Sequence, residues 1–152
     1  MNIKVEILNE GIDREINKAK MKKYLSRFDS AEDFKENGVR AGIGGVKISE
    51  ILQYIDKNSE NYLDKSEIRR ELSKAGQYYF LYEINPRKLD IQDEGDLETA
   101  DYDSESLEKP VVVGKDYFLI DGRHRTLVAI GLGRKKIKAY LPPEILYKEL
   151  IR

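Results

Sequence analysis

The run Phe118-Leu119-Ile120-Asp121-Gly122-Arg123-His124-Arg125-Thr126-Leu127-Val128-Ala129-Ile130-Gly131 constrains this chain more than any other stretch of it. An apolar, strand-like piece stops at Asp-Gly, and a helical pattern begins at once with basic residues in its first turn. A helix start exposes unpaired backbone N–H groups and the positive end of the peptide dipoles, so it favours an anion. Arginines placed there add repulsion unless something negative sits between them, and a guanidinium fork suits phosphate oxygens. The run therefore reads as a phosphate-binding turn made of Gly122, Arg123, His124, Arg125 and Thr126. The competing reading is plainer: Asp121 caps a helix, Gly122 permits the turn, and the arginines reach solvent or acids elsewhere.

Composition narrows the chemistry around that turn. The 152 residues suit one domain with a proper core, and 36% charged against 40% hydrophobic residues marks a globular rather than a disordered chain. With a net charge of -1 and a pI of about 6.0, nucleic-acid contact would have to come from a local basic patch. The chain has no cysteine and one histidine, which excludes disulfides, thiol catalysis and a structural zinc site. A hard ion such as magnesium, held by carboxylates and phosphate, stays compatible, and no protein-held metal is assigned. No stretch is long and apolar enough to span a bilayer, so no membrane partner and a cytoplasmic location are expected.

Periodicity organises the rest. Ile3 to Ile7 alternates as a short strand, and Ile12, Ile16 and Ala19 fall on one helical face running toward Leu25. Ser30-Ala31-Glu32-Asp33 reads as a cap and first turn with Gly38 as a stop, and Asp64-Lys65-Ser66-Glu67 as a capping box with Gly76 closing its helix. Ile48, Ile51, Leu52 and Ile55 define a helix between them. The second half turns to strands: Gln77 to Ile84 with Tyr78, Phe80, Tyr82 and Ile84 on one face, then a hairpin of Val111–Val113 and Tyr117–Ile120 around Gly114-Lys115-Asp116. Lys136 to Leu141 is a further strand, broken by Pro142-Pro143, with a last short helix behind it. The expectation is an α/β (α+β) single domain over 1–152. Its helical part, 1–76, packs on a small mixed sheet in a core of 77–142, followed by a C-terminal helix at 143–152.

Two loops invite functional readings. Gly38 to Gly45 is not a Walker A loop; it is a flexible connection or a lid whose Arg40 reaches the ligand. Asp90 to Glu108 holds nine acidic residues and no Lys or Arg. It is either a solvated connection, an acidic flap that competes with phosphate for Arg123 and Arg125 or supplies a metal carboxylate, or a contact for a protein partner.

The Asp121-Gly122-Arg123-His124-Arg125 core resembles the signature turn of the ParB/sulfiredoxin-like superfamily, including its ParB-like nuclease domains, whose variants read G-E-R-R, G-C-H-R and D-G-Q-H-R. The resemblance runs back through Tyr79–Pro86 and Pro110–Val113 and forward to Ile137–Tyr140, a little less than the C-terminal half. Sulfiredoxin chemistry is excluded, because Arg123 stands where that activity needs cysteine. Against the partition proteins, Gly122, His124 and Arg125 match, while Arg123 replaces an acid and Leu127 a later arginine. No large helical DNA-reading domain is legible either, which argues against that role. What the resemblance implies is nucleotide or phosphate binding, with phosphoryl transfer, nucleotide hydrolysis or nuclease action at the turn. A nucleoside di- or triphosphate with Mg2+ would then be the ligand. Catalytic candidates are His124 as general acid or base, Asp121 beside it, and Glu83 at the end of the aromatic strand. The alternative is a non-catalytic DNA-associated or protein-interaction factor of a plasmid or phage type, with Arg134, Lys135, Lys136 and Lys138 extending a basic strip.

Overall fold

Alternation along one strand decides which side of the sheet each helix covers. In the computed structural model, which describes residues 15–58, 64–91 and 107–151, the aromatic run forms β2 (Tyr78–Ile84). Phe80 and Ile84 lie in one apolar cluster and Tyr79 and Leu81 in another, on opposite faces, as a period of two requires. Around β2 stand β1 (Val46–Lys47), β3 (Val111–Val113), β4 (Leu119–Asp121) and β5 (Ile137–Leu141), in the order β1-β2-β5-β3-β4. Neighbours are antiparallel except β3 and β5, which run parallel, so the fold is mixed α+β on an open five-stranded sheet.

Among the described residues six helices cover it: α1 (Lys18–Leu25), α2 (Ala31–Asp33, continued by a π turn at Phe34–Gly38), α3 (Ile48–Asn58), α4 (Lys65–Ala75), α5 (Arg123–Gly131) and α6 (Pro143–Ile151). The first face buries Met21, Leu25 and Phe34 with Val128, Ala129, Ile145 and Leu146 against Phe80, Val113 and Ala139. The second buries Ile51, Tyr54, Ile55, Ile68 and Leu72 against Tyr79, Leu81, Val112 and Tyr140. Each large apolar side chain removed from water in these layers contributes about 1.5–3 kcal/mol. The helical first half thus supplies both a strand, β1, and covers for both faces.

The expected caps form. Ser30 Oγ accepts from the Asp33 N–H at 3.0 Å, and Asp64 Oδ1 from the Glu67 N–H at 2.8 Å. The Ser66 hydroxyl and that N–H hold the Asp64 carboxyl below its usual range. Two sequence expectations are corrected. Ile16 precedes α1 in an extended stretch, its N–H bonding to Leu81 O at 3.0 Å, and Ala19 is exposed; the inward face of α1 is Met21, Tyr24 and Leu25. Tyr117 belongs to a 3-10 turn (Lys115–Tyr117) with φ of 65°, and β4 starts only at Leu119. Asp90 explains that shift: its N–H bonds to Tyr117 O at 2.8 Å and its carbonyl accepts from the Leu119 N–H at 3.1 Å, occupying the backbone there. The expected strand at Ile3–Ile7 lies outside the described residues.

Candidate functional site: the turn between β4 and α5

Strand register fixes where Asp121 points. Asp121 pairs with Val112, Val112 with Tyr140, and Tyr140 with Leu81, one row across the sheet whose apolar members belong to the layer under α3. The chain must then reverse onto the other face, where Val128 and Ala129 of α5 are buried. Gly122 makes that reversal with φ of 102°, and a Cβ there would stand 2.5 Å from Val111 Cγ1. Both the left-handed backbone and the contact with β3 require glycine.

Beneath the turn lies a buried polar network. Asp121 is 3% and Arg125 8% exposed, and Arg125 Nη2 donates to Asp121 Oδ2 at 2.8 Å. Arg125 Nη1 donates to Pro110 O at 2.7 Å, Tyr54 Oη at 3.0 Å and Lys109 O at 3.2 Å, while Tyr54 Oη itself donates to Pro110 O. The Tyr54 ring is held edge-on by Tyr140 at 5.3 Å. One guanidinium therefore ties a helix on the first face, a helix on the second, the end of β4 and the residues entering β3. A buried pair of this kind is weak as a source of net stability, but breaking it by removing one partner costs about 3–5 kcal/mol.

The sequence-predicted site residues consequently separate into two groups. Arg125 was expected on a phosphate; its guanidinium is instead turned inward. Thr126, also expected there, is fully buried, and its Oγ1 donates to Gly122 O at 2.9 Å. Asp121, a catalytic candidate, is engaged by Arg125 rather than offered to a substrate. Arg123 and His124 form the outer part of the turn, half-buried and exposed respectively. Around them α5 begins with no side-chain cap and no acidic residue in its first turn.

Two candidates lie elsewhere. Glu83 sits on β2, three strand spacings or about 14 Å from β4, with its carboxylate 3.1 Å from Lys136 Nζ. Arg40 lies over the ring of Tyr24, 5.8 Å from its centroid, beside α1. In the basic strip Lys136 is paired with Glu83 and Lys138 with Glu15, at 3.9 Å. The acidic stretch Asp93 to Glu105 lies outside the described residues, though both its flanks are anchored, through Asp90 and through the Lys109 and Pro110 carbonyls. Among the described residues no group of three His, Asp or Glu side chains could hold a metal, and no helix is long and apolar enough to cross a membrane.

Sequence reading missed Tyr54 and the carbonyls of Lys109 and Pro110. Tyr54 was within reach, three residues after Ile51 on the same helical face; the carbonyls carry no residue-type signal. No protein-family model matches the chain, and neither the curated proteins nor the solved structures give a significant match.

Proposed function

We propose that the β4–α5 turn is a phosphate-binding turn of the ParB/sulfiredoxin-like kind, and that its ligand is a nucleoside di- or triphosphate. The observation that carries this reading is the start of α5: a left-handed glycine, no side-chain cap, and no acid in the first turn, with Arg123 and His124 around it. Such an end offers backbone N–H groups and a positive dipole to an anion. Arg125 serves the site indirectly. By holding Asp121 and the Lys109–Pro110 backbone it fixes the turn before the ligand arrives, and its charge offsets the carboxylate that would otherwise repel phosphate.

Phosphoryl transfer, nucleotide hydrolysis or nuclease action would draw on the same turn, with His124 as the group placed to move a proton. The engagement of Asp121 by Arg125 and of Glu83 by Lys136 favours binding over chemistry, and with it the reading of a non-catalytic accessory factor built on this turn. Thermal-shift and calorimetric titration of the common nucleoside di- and triphosphates, with and without magnesium, tests the proposal. Stabilisation by at least one nucleotide is expected, and no response to any of them would remove it.

A further inference from the structure

The near-neutral charge of the chain hides a segregation. The stretch from Asp90 to Glu108 holds nine of its 28 acids and none of its 27 Lys and Arg residues. The rest of the chain therefore sets 27 cations against 19 acids, a net of +8. A large part of that excess falls on α1 and the turn after it: Lys18, Lys20, Lys22, Lys23 and Arg27, with no Asp or Glu between positions 18 and 28. All five are exposed, while Met21 and Leu25 point into the core, so the outward half of α1 is basic.

Two features separate this surface from an ordinary solvated helix face. Among the described residues no ion pair is made by Lys18, Lys20, Lys22, Lys23, Arg27 or Arg40, although lysines elsewhere find carboxylates. The two arginines also share a rigid platform. The guanidinium carbons of Arg27 and Arg40 stand 5.5 and 5.8 Å from the centroid of the Tyr24 ring. That ring is fixed by its hydroxyl, which donates to Gly38 O at 2.7 Å, and by edge contacts to Phe28 and Phe34. Cation–π attraction to that ring restrains both guanidinium groups, which lowers the entropy lost when they meet phosphate oxygens.

We propose that the outward face of α1, with Arg27 and Arg40, binds the phosphate backbone of a nucleic acid. An eight-residue helix is about 12 Å long and, with one phosphate per strand for about every 3.4 Å of duplex axis, a helix aligned with that axis spans three to four phosphates of one strand. Backbone contact of this kind positions a protein without reading sequence. A lipid surface suits the face less well, because the apolar residues of α1 are already buried and none remains to enter a bilayer. This surface is distinct from the β4–α5 turn: α1 packs on α6, and its cations are separate residues.

The test is fluorescence anisotropy of the full chain with a labelled 20-base-pair duplex of random sequence, between 50 and 200 mM salt. Contact with about four phosphates gives a loss of affinity on the order of 100-fold over that range. The variant Lys20→Glu/Lys23→Glu/Arg27→Glu should lose most binding, at least 30-fold at low salt, and Arg40→Ala several-fold. A control with Arg69, Arg70 and Lys135 reversed carries the same net charge and should lose far less, with thermal melts checking that each variant folds. Arg123→Ala should leave duplex binding unchanged, which keeps this result independent of the nucleotide site. The proposal is overturned if the α1 variant binds as wild type, if the control loses as much, or if wild type binds phosphatidylserine vesicles or an acidic peptide but not the duplex.

Discussion

The β4–α5 turn and helix α1 use the same residue types in opposite ways. At the turn, Arg125 is withdrawn from water and answered by Asp121, Tyr54 and two carbonyls. On α1 and beside it, cations stand in solvent with no ion pair among the described residues, and the guanidinium groups of Arg27 and Arg40 lie over one aromatic ring. The contrast teaches that an arginine within a suggestive motif can be structural, while an arginine outside any motif can be recognition-ready. Burial and partners separate the two; residue type does not.

That contrast breaks first, if it breaks, at Arg125. Arg125→Ala leaves the Asp121 carboxylate buried without its cation and should cost about 3–5 kcal/mol in urea unfolding. A paired Arg125→Met/Asp121→Leu replacement should recover much of that loss, since it removes both charges together. A cost for Arg125→Ala within experimental error of zero would make Arg125 a surface arginine after all. Gly122→Ala comes next. Its left-handed φ and the Val111 contact each carry a penalty of roughly 1–3 kcal/mol, and the displaced helix start should weaken ligand binding as well.

Smaller effects sharpen the comparison. Arg123→Ala should cost clearly less in unfolding than Arg125→Ala and weaken nucleotide binding roughly 10- to 100-fold, the worth of one charge-assisted contact. Its converse, stability lost and affinity kept, would exchange the roles of the two arginines. The mildest effect is acid sensitivity. Asp33 is held below its ordinary pKa by the Asp29 N–H and then the Asn37 amide, and Asp64 by the Ser66 hydroxyl and then the Glu67 N–H. Both contributions are present above the unfolded value of about 3.9 and are lost as pH falls through the lowered folded values. Stability should therefore decline below about pH 4, and Asp33→Asn/Asp64→Asn should flatten that decline. An unchanged acid limb in the variant would remove the assignment.

Much of the fold was legible because it rests on local rules. The alternation at Tyr78–Ile84, the caps at Ser30 and Asp64, the glycine at 122 and the break at Pro142 each act within a few residues. The site was legible only as far as its chain segment. That Gly122 opens α5 could be read from Asp-Gly followed by a helical pattern. That Arg125 faces inward could not, because beyond Asp121, four residues back, its partners are Tyr54, 71 residues away, and the backbone carbonyls of Lys109 and Pro110. The shift of β4 to Leu119 had the same origin, in a long-range backbone pairing through Asp90. The basic face of α1 was passed over for another reason: apolar periodicity drew attention to Ile16 and Ala19, and whole-chain charge averaged the lysines away.

The most direct measurement is a calorimetric titration, with magnesium, of the nucleotide that stabilises the protein most, into wild type and Arg123→Ala at matched folded fraction. Saturable binding to wild type and a roughly 10- to 100-fold weaker constant for the variant are predicted. Equal affinity for both proteins, or no heat with either, would contradict a phosphate site at the start of α5.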